Sequence, residues 1–202
     1  FDVPIDRLTD IAYAREQADR IKAGDIASVE RLNDSFPESK DTTHIAVADA
    51  AGNLVSMTHS LGMPSGIITE GLGFMYNGCM AVFDPRPGRA GSIAPGKSRF
   101  SSVCPTIVFK DKDPKVVIGA PGGTQIAMGV LQATLNVLEF DMPILDAIVA
   151  PRFSATSSAI DVSNRIPGFV TKGLETRGYE IIRRPFSYGF AAVHGLKRNS
   201  DK

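Results

Sequence analysis

The segment "VVIGAPGGTQIAMGVLQATLNVLEF", residues 116–140, limits the folds open to this chain more than any other. A short apolar run with strand character passes through Pro121-Gly122-Gly123 into a long apolar helix pattern. Such a pair calls for a sheet with a helix packed on it. The neighbouring segments supply the sheet. "THIAVAD" and "NLVSMTHS" read as strands joined by a turn at "AAGN", and "SSVCPTIVFK" and "KVVIGA" as strands joined by "DKDP". Short strand character appears at "GIIT" and "GFMY" in a glycine-rich stretch. "PILDAIVAPRF" is predicted as a second helix, with Pro143 in its first turn. A short strand at "AIDV" follows, then a helix "GFVTKGLETRG" opened by Pro167 and strands at "YEIIRR" and "GFAAVHGL". Upstream, residues 5–22 place Ile5, Leu8, Ile11, Ala12, Ala18 and Ile21 at helical spacing, and the second half of the connector that follows has no period. Strands, then helices, then strands predict an α+β layered domain, and the hairpin turns favour antiparallel pairing.

Composition narrows the function classes. The chain has 202 residues, 43% of them hydrophobic, enough for one sizeable core. Its net charge is zero, which gives no electrostatic basis for a nucleic-acid partner. No apolar stretch approaches the ~20 residues of a membrane-spanning helix. The start, "FDVPIDRLTD", lacks an initiator Met and the pattern of a signal peptide, so a fragment or processed piece is expected. The compartment stays open between cytoplasmic and periplasmic or secreted. Cys79 and Cys104 have no metal-binding spacing and read as buried free thiols, and His44, His59 and His194 are scattered, so neither metal nor cofactor is expected. Residues 1–41 hold ten acids against six bases, whereas residues 42–202 hold twelve against sixteen. The sign changes at Thr42.

Three stretches have residues suited to chemistry, and each has an ordinary alternative. Thr42 and Thr43 open a strand, a place where threonine is favoured in any case. If the Asp41–Thr42 bond were cut, Thr42 would carry its hydroxyl and a free α-amine together. An α-amine titrates near ~7.7–8.0, so a useful share is neutral near pH 7 and can take the hydroxyl proton. Gly122 and Gly123 precede a helix, where bare backbone N–H groups can hold an oxyanion, cradle a phosphate or simply make a turn. The absence of a Gly-Lys-Ser/Thr ending weakens the phosphate option. Ser101 and Ser102 stand where loop becomes strand, able to bind a carboxylate or to bond locally.

Together, "DTTHIAVADAAGNLVSMTHS", "RFSSVCPTIVFK" and "GAPGGTQ" resemble the γ-glutamyltransferase (γ-glutamyltranspeptidase) family in order and spacing. The upstream "VPIDRLTDIAYAREQADRI" is similar to the end of that family's large subunit, and "APRF" also matches. The resemblance implies an N-terminal nucleophile hydrolase with an αββα four-layer sandwich, of which this chain supplies part. It implies that residues 1–41 are the tail of a large subunit with its processing linker, and residues 42–202 the small, catalytic subunit. By the same likeness Thr42 is the nucleophile, Ser60 the second hydroxyl that bonds it, Gly122 and Gly123 the oxyanion donors, and Ser101 and Ser102 the holders of a substrate carboxylate. The implied partners are a large subunit from the same precursor, a small-molecule amide, and water or an amine as acceptor. A homodimer of processed heterodimers is a further arrangement the likeness allows.

The sequence departs from the family where the γ-glutamyl α-amine is held. Gly62 stands in place of an Asn, and "YNGCMAVFD" places Cys79 and Val82 where Gln and Asp are usual. A buried ammonium without a carboxylate partner is costly. The expected acyl group is therefore different or smaller, one with a carboxylate but no amine, and the family's cephalosporin acylases are precedents. Asp84 is a nearby substitute anchor, and the loop "DPRPGRAGSIAPGK" is either a lid or a surface connection. Two readings compete with an autoprocessed acyltransferase or amidohydrolase. One is an unprocessed, non-catalytic homologue acting in binding or structure, and the other is a nucleotide-binding module built on "GAPGGTQ".

Overall fold

The structure, a computed structural model, describes residues 3–29, 42–155, 157–185 and 190–198. The second half of the expected connector, from residue 30 to Asp41, lies outside the described residues. The upstream helix is two helices, α1 (Ile5–Thr9) and α2 (Ile11–Ala23). The break falls at Asp10, which turns extended so that its carboxylate can accept from the Ala12 N–H at 2.8 Å. That cap satisfies a donor that a continuous helix would have bonded through its backbone. Gly24, at φ 93°, closes the other end in the left-handed conformation. No residue of α2 is buried.

Strands β1 (Thr42–Ala48) and β2 (Leu54–Ser60) form an antiparallel hairpin in which Thr42 faces Ser60 and His44 faces Thr58. Strands β3 (Pro64–Ile68) and β4 (Met75–Asn77) make a smaller antiparallel pair. A second sheet has the order β10-β6-β5, with β5 at Thr106–Lys110, β6 at Asp113–Gly119 and β10 at His194–Lys197. The predicted strand from residue 101 is shorter because Pro105 has no N–H to give to a ladder. Asp111 and Lys112, both at positive φ (53° and 69°), make the two-residue turn into β6.

The hairpin stacks face to face on this sheet. The Ser56 hydroxyl donates to the Ile118 carbonyl at 3.2 Å, and the His194 Nδ1 lies 3.1 Å from the His44 carbonyl. Helices α3 (Ile126–Leu138) and α4 (Ile144–Val149) cover the opposite face. There Val116, Ile118 and Ala120 meet Ile126, Val130, Ala133, Val137 and Ala147 in one buried cluster. Strand β6 is thus covered on both faces, which is why it reads as an unbroken apolar run and not as an alternation.

Helix α4 ends earlier than the sequence pattern suggests. Ala150 precedes Pro151, and the proline ring drives it out of the helical region to ψ 141°. Arg152 consequently leaves the helix, and Phe153 enters β7 (Phe153–Ser154). A third sheet, β7-β8-β9, includes β8 (Ala159–Ser163) and β9 (Glu180–Arg184). Helix α5 (Gly168–Glu175) crosses between β8 and β9, so these two strands are parallel, in contrast to the antiparallel pairing expected from the turns.

Three layers are therefore stacked: the β1–β2 hairpin, the β5–β6–β10 sheet and the α3–α4 pair. The outward face of the hairpin presents Ile45, Val47, Val55 and Met57, each more than 40% exposed. No described element lies on this face. It is the side on which a fourth, helical layer of an αββα sandwich belongs.

Candidate active site

Thr42 begins β1 and Ser60 ends β2, and their register places them opposite each other at the open end of the hairpin. Their hydroxyl oxygens lie 2.7 Å apart. Ser60 Oγ also accepts the Gly62 N–H at 2.9 Å. With that donor in place, Ser60 can give its own proton to Thr42 Oγ1 or accept the threonine's. Both oxygens are half-buried.

Below them in the strand, His44 fixes the stacking of the two sheets. It is 4% exposed, and its Nδ1 lies 2.9 Å from Thr58 Oγ1. Gly119 leaves room for the ring: a Cβ built there would fall 2.2 Å from His44 Cε1. Burial, and then the neighbouring His194, hold the His44 pKa below its ordinary value. Nε2 has no protein partner among the described residues, so protonating it would place an unpaired N–H in the interior. The sign follows from linkage. The folded chain binds this proton less readily than the unfolded chain, so stability is full above pH 6.5 and falls as the pH drops through the lowered folded value. The loss of urea midpoint between pH 7.5 and pH 5.5 should be smaller in His44→Asn than in the natural chain. An equal loss in both would show that His44 does not carry the acid sensitivity.

The contact of His44 with Gly119 and that of Ser56 with Ile118 set the direction of β1 against β6. Thr42 and the segment after Gly119 consequently leave the stack at the same end. That segment runs through Gly122 at φ 144° and Gly123 at φ 57°, then into a 3-10 turn (Gly123–Gln125) ahead of α3. The left-handed φ at Gly123 favours glycine, and Gly122 has no room for a side chain. A Cβ there would lie 2.6 Å from Ala191 Cα.

The serine pair divides. Ser102 is half-buried and donates to the Gly123 carbonyl at 2.5 Å, which ties the pair to the glycine turn. Ser101 is exposed, and its oxygen accepts weakly from the Val103 N–H at 3.4 Å. Its own proton meets no acceptor among the described residues.

Around position 62 the packing is tight. Gly62 is left-handed (φ 69°), and a Cβ there would fall 2.8 Å from Cys79 Sγ. The Cys79 thiol is half-buried beside the Leu61 carbonyl, 3.4 Å away. Gly78 is equally confined, with the Met63 carbonyl 2.6 Å from the place of its absent Cβ. A side chain at 62 would therefore have to displace the Cys79 thiol. Asp84, the substitute anchor suggested by sequence, already holds the Arg86 guanidinium through two contacts of 2.8 Å, with Arg89 at 3.9 Å. Its hydrogen bonds with Arg86, chiefly the side-chain one, bring its pKa down to about 2. The Asp84 carboxylate is thus engaged within its own loop, where Ser92 also accepts the Arg89 N–H at 2.7 Å.

Two residues in this architecture escaped the sequence reading. His44 was one of three scattered histidines, and Arg152 was only part of a matching tetrapeptide. Among the described residues, no group of His, Cys, Asp and Glu side chains is placed to hold a metal ion, and no helix is long and apolar enough to cross a membrane.

Known proteins are similar to this chain in sequence and fold. The acylase ACY 1 proenzyme of Pseudomonas sp. (strain V22) is 39% identical over 185 residues, covering 91% of this chain and 33% of that protein. A glutathione hydrolase proenzyme of Pseudomonas aeruginosa is 31% identical over 204 residues, covering 93% of this chain and 36% of its own length. The chain thus spans about a third of these curated relatives. A crystal structure of a mutant γ-glutamyltranspeptidase from Helicobacter pylori superimposes with a TM-score of 0.69 at 32% identity, over 77% of this chain and 90% of that one. Its kinship gives the stacked sheets their class, the α+β fold of the N-terminal nucleophile hydrolases. The profile of the gamma-glutamyltranspeptidase family matches residues 1–202, and the chain belongs to that family.

Proposed function

We propose that this chain is the nucleophile-bearing part of an autoprocessed acyltransferase or amidohydrolase whose acyl group is not γ-glutamyl. Residues 1–41 are the tail of a large subunit, and residues 42–202 the small subunit released by scission of the Asp41–Thr42 bond. The observation that carries this reading is the 2.7 Å contact between Thr42 Oγ1 and Ser60 Oγ at the start of β1.

The chemistry needs only groups on this chain. The Thr42 α-amine accepts the proton of the Thr42 hydroxyl, directly or through a water, while Ser60 orients the oxygen. Thr42 Oγ1 attacks the substrate amide carbon. The carbonyl oxygen becomes an oxyanion, facing the N–H groups of Gly122 and Gly123. As the C–N bond breaks, the leaving amine takes the proton from the Thr42 ammonium, and the acyl group remains as an ester on Thr42. Water or an acceptor amine then attacks the ester with the α-amine again acting as base. This step releases the acid or new amide and restores the hydroxyl. Ser101 offers its proton to a carboxylate on the acyl group, and Ser102 fixes the glycine turn through the Gly123 carbonyl. The large subunit belongs on the uncovered apolar face of the hairpin.

The acyl pocket follows from the packing at Gly62. Cys79 fills the space a side chain at 62 would take, Val82 has no charge, and Asp84 is held by arginines. An α-ammonium group entering here would lose water without gaining a carboxylate. The relative named an acylase fits the same direction. The test compares γ-glutamyl-p-nitroanilide with glutaryl-p-nitroanilide, which lacks the α-amine, on the complete matured protein. Glutaryl should be favoured in kcat/KM by ~10-fold or more, a difference of about 1.4 kcal/mol. Preference for the γ-glutamyl compound would refute the assignment of the pocket while leaving the nucleophile standing.

A further inference from the structure

Arg152 is buried, 8% exposed, and among the described residues no carboxylate pairs with it. Among the described residues, its guanidinium donates to main-chain carbonyl oxygens alone. Nη1 donates to Ile148 at 2.6 Å and to Ala150 at 3.4 Å, at the end of α4, where helix carbonyls lack partners. Nε reaches the Phe190 carbonyl at 3.3 Å, and Nη2 the Phe190 and Ala191 carbonyls at 3.1 and 2.9 Å. The planar fork thus joins two segments 38 residues apart with one side chain.

The segment it grips lies directly behind the glycine turn. Ala191 sits at φ 28°, a conformation disfavoured for a residue with a Cβ. Its Cα occupies the space beside Gly122, its Cβ lies 2.7 Å from where a Gly129 Cβ would be, and the next N–H, of Ala192, donates to the Pro121 carbonyl at 2.9 Å. Pro121-Gly122 and the first turns of α3 therefore rest on Ala191, and Ala191 is held by Arg152.

We propose that Arg152 is a positioning residue for the reaction, acting through Ala191 to hold the Gly122–Gly123 backbone where its N–H groups meet the oxyanion. This rests on the reading of Gly122 and Gly123 given above. Lysine keeps the charge but is a single-point donor and cannot span the four carbonyls. The test uses the complete precursor, matured where it self-cleaves, and the better substrate of the p-nitroanilide pair. Arg152→Lys should lower kcat ~10-fold or more with KM within about 2-fold, the pattern of an interaction used only in the transition state. The cycle with Gly122→Ala separates positioning from general destabilisation. The double variant should be no slower than Gly122→Ala alone, because both changes act on one loop. Ala191→Gly, in which glycine accepts the positive φ, keeps Arg152 in place but slackens the link, and should also lower kcat without raising KM. If Arg152→Lys does not fold, the Ala191→Gly result decides the question alone. A natural kcat in Arg152→Lys or in Ala191→Gly would overturn the proposal, as would rate losses that multiply in the double variant. If turnover also survives Thr42→Ala, the nucleophile assignment fails as well. If turnover depends on Thr42 and only the Arg152 results fail, the loss is confined to this inference.

Discussion

Thr42→Ala should abolish self-cleavage and turnover together. The substitution removes the hydroxyl and the γ-methyl from a half-buried strand end whose backbone pairing with Ser60 it leaves untouched, so the fold should persist. The precursor should run as one uncut chain on a denaturing gel, and p-nitroaniline release should fall to the background rate. Melting temperature should change little, since the lost contact is one hydroxyl pair worth about 1 kcal/mol. Thr42→Ser separates the two parts of the chemistry, because serine keeps a hydroxyl and, once cut, an α-amine. It should cleave and turn over slowly instead of not at all. A non-catalytic homologue predicts something different: no cutting in the natural chain and no change on substitution.

Gly122→Ala should rank second in effect. The added methyl would lie 2.6 Å from Ala191 Cα and 2.9 Å from Ala191 Cβ, so backbone must move. Loss of one oxyanion donor costs about 10²–10³ in kcat where it has been dissected in other enzymes. Gly122→Ala should reach that range in single-turnover acylation and should also melt at lower temperature. Gly123→Ala provides the contrast. Its added methyl would meet nothing within 4 Å, so its cost is limited to a left-handed φ of 57°. Acylation as fast in Gly122→Ala as in the natural chain would remove the glycine pair from the mechanism. A phosphate-binding role for the turn predicts stabilisation by inorganic phosphate that is indifferent to Thr42→Ala.

Much of this was legible in sequence because it is local. Alternation around a glycine turn gives the β1–β2 hairpin, and an apolar run followed by paired glycines gives β6, its turn and α3. The interior of the site is not local. His44 matters because Gly119, 75 residues on, has no side chain to meet it. Arg152 matters because proline removes it from a helix and turns its guanidinium toward carbonyls near residue 190. Ser102 looks like its neighbour Ser101 until its partner, the Gly123 carbonyl, is placed. Side-chain-to-backbone bonds of this kind leave no period in the sequence, since one partner is a peptide group that any residue supplies. The same holds for Gly62 and Cys79, whose mutual exclusion is a matter of volume between separate loops.

The decisive observation is a mass measurement on the complete protein, mixed with the p-nitroanilide it prefers and quenched in acid within the first turnover. The expected species is a fragment whose first residue is Thr42, part of it heavier by one acyl group that maps to that threonine. A protein that turns the substrate over while its Asp41–Thr42 bond is intact, or that carries the acyl group on any other side chain, would contradict a terminal threonine nucleophile.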